Sequence, residues 1–166
     1  MDNRRKFKWF VIVIVLLIFV CMITIFVLSA QDNTSTNILS RKVTEKIAKV
    51  IFFDYNTISM TTQNEIIIGL NKFVRKLAHF TMYFMLGFYL FFGTLVFNFR
   101  NRFRFLIATG ICIAYAISDE FHQLFVSGRT GQIRDVIIDS SGAFLGIICC
   151  FALFAVVEKA LHKNIL

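Results

Sequence analysis

Proline is absent from all 166 residues of this chain, and glycine occurs only eight times. Without proline, no helix is expected to carry a proline kink. Cysteine is sparse as well: Cys21, Cys112, Cys149 and Cys150 all fall inside apolar stretches. They serve there as small apolar residues and exclude an extracellular disulfide framework. No H-E-x-x-H or comparable ligand spacing occurs, nor a glycine-rich phosphate loop, so neither a metal nor a cofactor is expected. Charge is thin at 17% of residues and lopsided, with 18 Lys and Arg against 10 Asp and Glu, a net charge of +8. The basic residues flank apolar segments, which makes anionic membrane lipids the expected partner and argues against nucleic acid.

What the chain has in excess is apolar surface: 57% of residues are hydrophobic and 21 are phenylalanine. Trp9 to Ala30 runs without a charge, long enough for about 30 Å of hydrocarbon at about 1.5 Å of rise per residue. A cleaved secretory signal would have a similar basic start (Arg4, Arg5, Lys6 and Lys8) but a shorter apolar stretch. It would also need a small residue where Leu28 stands, so this segment reads as an uncleaved first span. Three further spans follow, placing the four at about 9–30, 76–97, 104–123 and 135–157. The third reaches membrane length only if its helix continues through Ser118 to Gln123. The expected fold is therefore all-α, a polytopic membrane bundle of four transmembrane helices forming one domain over residues 1–166, with no internal repeat.

The first loop, residues 31–72, has structure of its own. Leu39, Val43, Ile47, Val50 and Ile51 recur at helical spacing opposite Lys42, Glu45, Lys46 and Lys49, the pattern of an amphipathic helix lying in the membrane interface. Thr62-Gln63-Asn64-Glu65 has the form of a capping box and predicts a helix start there. The loop serves either as a lid over a site or as a surface anchor.

Lysine and arginine set the orientation. With both termini in the cytoplasm, residues 1–8, the turn bearing Arg100, Arg102 and Arg104, and the tail with Lys159 and Lys163 fall on the positive side, as the positive-inside rule requires. The basic residues of the 31–77 loop then lie outside, against that rule. Parity holds in either orientation: Arg75 to His79 open the second span, Asp119 to Gln123 close the third, and Arg129 to Asp139 open the fourth, so all three face the same side. Ionisable groups at the mouth of membrane spans are functional candidates, because packing alone would use Leu or Ala there.

Helical spacing sorts these side chains. Arg75, His79 and Tyr83 form one stripe, and Tyr115 lies a turn below Asp119. Asp119, His122 and Gln123 share a face from which Glu120 points away, and Asp135 and Asp139 stack one turn apart. Gly142 and Gly146 continue the last stripe as a G-x-x-x-G, the small-residue pattern of closely packed membrane helices.

The strings Asp119-Glu120-x-His122-Gln123-x-Phe125, Gly128-Arg129, Asp135 and Gly142-x-x-x-Gly146 share one order with Arg75-Lys76-x-Ala78-His79-Phe80-x-x-Tyr83 and Ser29-Ala30-Gln31. Together they resemble the VanZ-like family of bacterial membrane proteins over nearly the whole chain. The resemblance implies a small multi-pass protein of the bacterial cell membrane, whose namesake confers low-level resistance to teicoplanin and related lipoglycopeptides. Two positions depart from the family pattern: Asp139 stands where Asn is frequent, and Ser127 where a Pro is common. The extra carboxylate four residues after Asp135 favours a cation or a shared proton.

Three functions fit the cluster. In the first, Arg75, Lys76 and Arg129 grip a phosphate or carboxylate of a lipid-linked cell-wall precursor or a lipoglycopeptide at the outer interface, with Asp119 and Asp135 fixing the cations. The full ligand-binding set is then Arg75, Lys76, His79, Tyr83, Asp119, Glu120, His122, Gln123, Arg129, Asp135 and Asp139. The second is an enzyme in which His79 or His122 is base or nucleophile and Asp119 orients it, in a hydrolysis or transfer at a lipid head group. The third is a metal site of His79, His122, Asp119 and Asp135, which the ligand spacing does not favour. Against all three stands a purely structural reading, in which Arg129 with Asp135 and Arg75 with Asp119 close the end of the bundle as ion pairs. Binding is the expected function rather than catalysis, and the oligomeric state is left open.

Overall fold

The computed structural model of the protein describes residues 3–30, 38–127, 129 and 131–163. Gln31, Gly128 and Thr130, which belong to the sequence motifs, lie outside the described residues. The chain is all-helical over those residues, in the order α1 (Asn3–Ser29), α2 (Ile38–Ile51), α3 (Met60–Thr94), α4 (Asn101–Gln123) and α5 (Ile133–Lys163). Four of these are long and apolar enough to cross a membrane: Arg4–Ser29, Met60–Thr94, Asn101–Gln123 and Ile133–Leu161. This is the architecture of a multi-pass membrane protein. Large apolar side chains stand exposed along every long helix, which in a bilayer is lipid-facing surface.

α3 is the organising element. It spans 35 residues, about 52 Å at about 1.5 Å per residue, where the hydrocarbon needs only about 30 Å. Its first turns therefore stand clear of the hydrocarbon, and α2 packs against them through a small cluster of Ala48, Tyr55 and Ile67. Helix α3 begins before the sequence predicts: Ser59, not Thr62, is the N-cap, and its hydroxyl accepts from the Thr62 amide at 3.3 Å. The helix then runs unbroken through Gly69 into the span.

On α2 the face that packs on the protein is Thr44 and Ala48, both buried. Thr44 bonds Asn71, and Arg41 donates to Asn64 at 3.0 Å. Val43, Val50 and Ile51 face away from the protein, as a helix lying on a lipid surface presents them.

α5 lies closest to α3, and glycines explain why. A Cβ on Gly142 would stand 2.6 Å from the Phe80 carbonyl oxygen, and a Cβ on Gly146 or Gly87 would intrude still further on the facing backbone. The G-x-x-x-G of α5 thus works as its sequence predicts, with Gly87 of α3 facing Ala143 as an unforeseen third close approach. Two apolar layers fill the centre. One is built on Cys21, Ile25, Tyr83, Leu86, Cys112, Ala116 and Ala143, the other on Phe91, Ala108, Ile147 and Cys150.

Candidate functional site

The C-terminal ends of α1 and α4, the middle of α3 and the start of α5 converge at one end of the bundle. From His79 to Thr94 α3 rises about 22 Å, and from Asn101 to Asp119 α4 rises about 27 Å. The cluster therefore sits near one boundary of a hydrocarbon layer of about 30 Å. A cavity of about 310 Å³ opens there, lined by Lys72, Arg75, Lys76 and His79 of α3, Gln123 of α4, Arg129 and Gln132 of the connection, and Asp135, Ile138 and Asp139 of α5. No residue of α2 lines it among the described residues.

Beneath the cavity lies a buried polar core. His79, Asp119 and Asp139 are 6%, 3% and 4% exposed. His79 Nδ1 is 3.8 Å from Asp119 Oδ2 and 3.8 Å from Asp139 Oδ2. Ser29 at the end of α1 donates to Asp119 Oδ2 at 2.7 Å, and Gln123 Nε2 donates to the same oxygen at 3.2 Å. Tyr83 is fully enclosed one turn deeper, within electrostatic reach of both carboxylates. Its hydroxyl has no hydrogen-bond partner among the described residues, nor do Asp119 Oδ1 and His79 Nε2.

The mouth is built from cations. Lys76 pairs with Asp135, and Arg129 donates to the Leu28 carbonyl at 2.9 Å, tying the end of α1 into the site. Burial lowers the pKa of the Arg129 guanidinium, the nearby positive charge of Arg75 lowers it further, and Asp119, Glu120 and Asp135 oppose both. A guanidinium keeps its proton at neutral pH, so Arg75 and Arg129 repel each other across the cavity, and an anion between them would relieve that repulsion.

His122 lies outside the cavity lining, its ring against Phe26 of α1 with centroids 4.4 Å apart. Asp119 also meets α1, through Ser29, so the face these two share by helical spacing is turned to α1. Glu120 points away from that face, toward the start of α5. It is buried, and Oε1 accepts the Gln132 amide at 2.7 Å, fixing the first turn of α5, where a carboxylate suits the positive end of the helix dipole. Tyr115 serves structure, donating to the Met22 carbonyl at 2.7 Å.

Three contributors were not foreseen. Lys72 lies one turn before Arg75 and Lys76 and seven residues before His79, so the helical spacing already held it. Gln132 sits in the connection, where no periodicity points. Ser29 was visible only within a motif, because its role depends on how α1 packs.

A bundle of membrane-spanning helices with a polar, cation-rimmed site at one end defines the class. The VanZ/LLP1 family model matches residues 10–155, and the chain belongs to that family. No curated protein and no solved structure matches it.

Proposed function

We propose that the cavity binds the phosphate- or carboxylate-bearing head group of a lipid-linked ligand, such as a cell-wall precursor, at the outer face of the bacterial cell membrane, with both termini cytoplasmic. The observation that carries this reading is the cavity itself: Lys72, Arg75, Lys76 and Arg129 converge on one concave surface. Guanidinium groups grip oxyanions in pairs. At about 310 Å³ the cavity lies at the low end for small-molecule sites. It suits a phosphate or pyrophosphate with its first sugar or isoprenoid unit, not a whole glycopeptide. Holding such a head group is how the protein would contribute to the resistance to teicoplanin-type lipoglycopeptides that the family resemblance implies. An enzyme would use the same surface with His79, not His122, as its base and Asp119 orienting it.

Native mass spectrometry of the purified protein with added polyprenyl pyrophosphate tests the reading. One lipid bound per chain is expected, with affinity falling about 10- to 100-fold in Arg75→Gln, the equivalent of a charge-assisted hydrogen bond worth about 1.5–3 kcal/mol. Equal affinity for a neutral polyprenol would refute it, whereas conversion of the bound lipid would favour the enzyme.

A further inference from the structure

Among the described residues, His79, Asp119 and Asp139 each offer one ligand atom, and these atoms all lie within 4.8 Å of one another. They come from three different helices, and each is at least nine-tenths buried. Two carboxylates enclosed so deeply need their charge offset, and the structure allows three ways: a protonated His79, a proton shared between the carboxylates, or a bound cation.

The distances suit the cation better than the imidazolium. A charge-assisted bond from an imidazolium closes to about 2.7–2.9 Å, and Nδ1 stands at 3.8 Å from Oδ2 of both carboxylates. Ligand atoms about 2.0–2.2 Å from a common tetrahedral ion lie about 3.4 Å from each other. The two distances from His79 Nδ1 exceed that spacing by a few tenths of an ångström, and the three ligand atoms all lie within 4.8 Å of one another. The unpartnered atoms point the same way. Ser29 and Gln123 both donate to Asp119 Oδ2, the oxygen that faces His79 Nδ1, and fix the carboxylate as outer groups fix a metal ligand, while Oδ1 has no partner among the described residues and is available as a ligand atom. The enclosed Tyr83 hydroxyl also has no partner among the described residues.

We propose that His79, Asp119 and Asp139 bind one divalent transition-metal ion, Mn²⁺ or Zn²⁺, at the floor of the cavity. One imidazole with two carboxylates suits these ions better than Mg²⁺ or Ca²⁺, which prefer oxygen alone. His79 and Asp139 line the cavity, so remaining coordination positions face it and are open to water or a ligand oxygen. The ligand set departs from the one expected from sequence: Asp139 replaces Asp135, which Lys76 occupies, and His122 is excluded by its place against Phe26. The inference rests on the three-helix cluster alone and does not require the head-group reading.

The test is elemental analysis of the full-length protein, purified without a polyhistidine tag, chelated, and then equilibrated with Mn²⁺ or Zn²⁺ and no lipid. One ion per chain is expected, with at least a tenfold weaker apparent affinity in Asp139→Asn and His79→Gln, and no change in Asp135→Asn. Mn²⁺ electron paramagnetic resonance should show the bound ion in wild type and Asp135→Asn only. Circular dichroism and thermal melting of each variant separate lost ligation from lost fold. Should Asp139→Asn fail to fold, His79→Gln carries the test. Retention of the ion by a folded His79→Gln or Asp139→Asn, or no uptake by wild type at millimolar metal, overturns the proposal.

Discussion

Replacing Gly142 by alanine puts a methyl group 2.6 Å from the Phe80 carbonyl oxygen and 3.1 Å from its ring, where ordinary contact begins at 3.4 Å. The obstacle is α3 backbone, which has no rotamer to give, so the two helices must part by about 0.8 Å at that level. Overpacking of this kind costs about 1–3 kcal/mol, and alanine's better helix propensity returns up to about 1 kcal/mol. A net loss of about 1–2 kcal/mol is expected, which lowers the melting temperature by roughly 2–8 °C for a chain of this size. Gly110 is the internal control: nothing lies within 4 Å of a Cβ there, so Gly110→Ala keeps the propensity gain without a clash and melts at or slightly above wild type. The buried thiols of Cys21, Cys112 and Cys150 make a fluorogenic maleimide a direct reporter of unfolding in detergent. If Gly142→Ala and Gly110→Ala melt together, the close α3–α5 approach is not what holds these helices.

Other substitutions probe the site. Ser29→Ala removes a buried donor to Asp119 and is expected to destabilise by about 1.5–3 kcal/mol, read by the same melting assay. His122→Phe should leave polyprenyl pyrophosphate binding within about twofold of wild type, because the ring packs on Phe26 and not in the cavity; a tenfold loss would reinstate His122 as a ligand residue. Lys76→Ala should hardly alter melting, since its pair with Asp135 is partly exposed and such pairs contribute about 0.2–1 kcal/mol, while weakening binding of the same lipid several-fold. Val50→Asp with Ile51→Asp should reduce quenching of α2-attached fluorophores by brominated lipids without lowering the melting temperature, because both side chains face away from the protein.

Much of the architecture was legible because membrane insertion imposes length and composition on each helix. The spans follow from apolar runs, and parity alone gathers Arg75, Asp119 and Asp135 on one side. Periodicity found the α3 stripe of Arg75, His79 and Tyr83, and Gly142 with Gly146 foretold the tight crossing. It failed wherever a partner helix decided the outcome. The wheel of α4 gave His122 and Asp119 the same face, and both meet α1, but His122 rests on Phe26 outside the cavity lining. Glu120 is set apart from the Asp119 face, but its partner, the Gln132 amide at the start of α5, is not encoded in helical spacing. Ser29 reaches Asp119 across 90 residues of sequence, a separation that no local spacing encodes. On α2 the apolar residues Val43, Val50 and Ile51 are exposed, and the protein-facing side is Thr44 and Ala48, which the apolar spacing alone does not single out.

Compartment labelling reaches the centre of the account. Single cysteines introduced as Lys76→Cys, Leu124→Cys and Asp135→Cys, in a background with the native cysteines replaced by alanine, should all react with a membrane-impermeant maleimide added to intact cells. Arg102→Cys, in the turn at the opposite end of the bundle, should react only after the cells are opened. If the first three divide between the two compartments, the converging helix ends do not form a shared site.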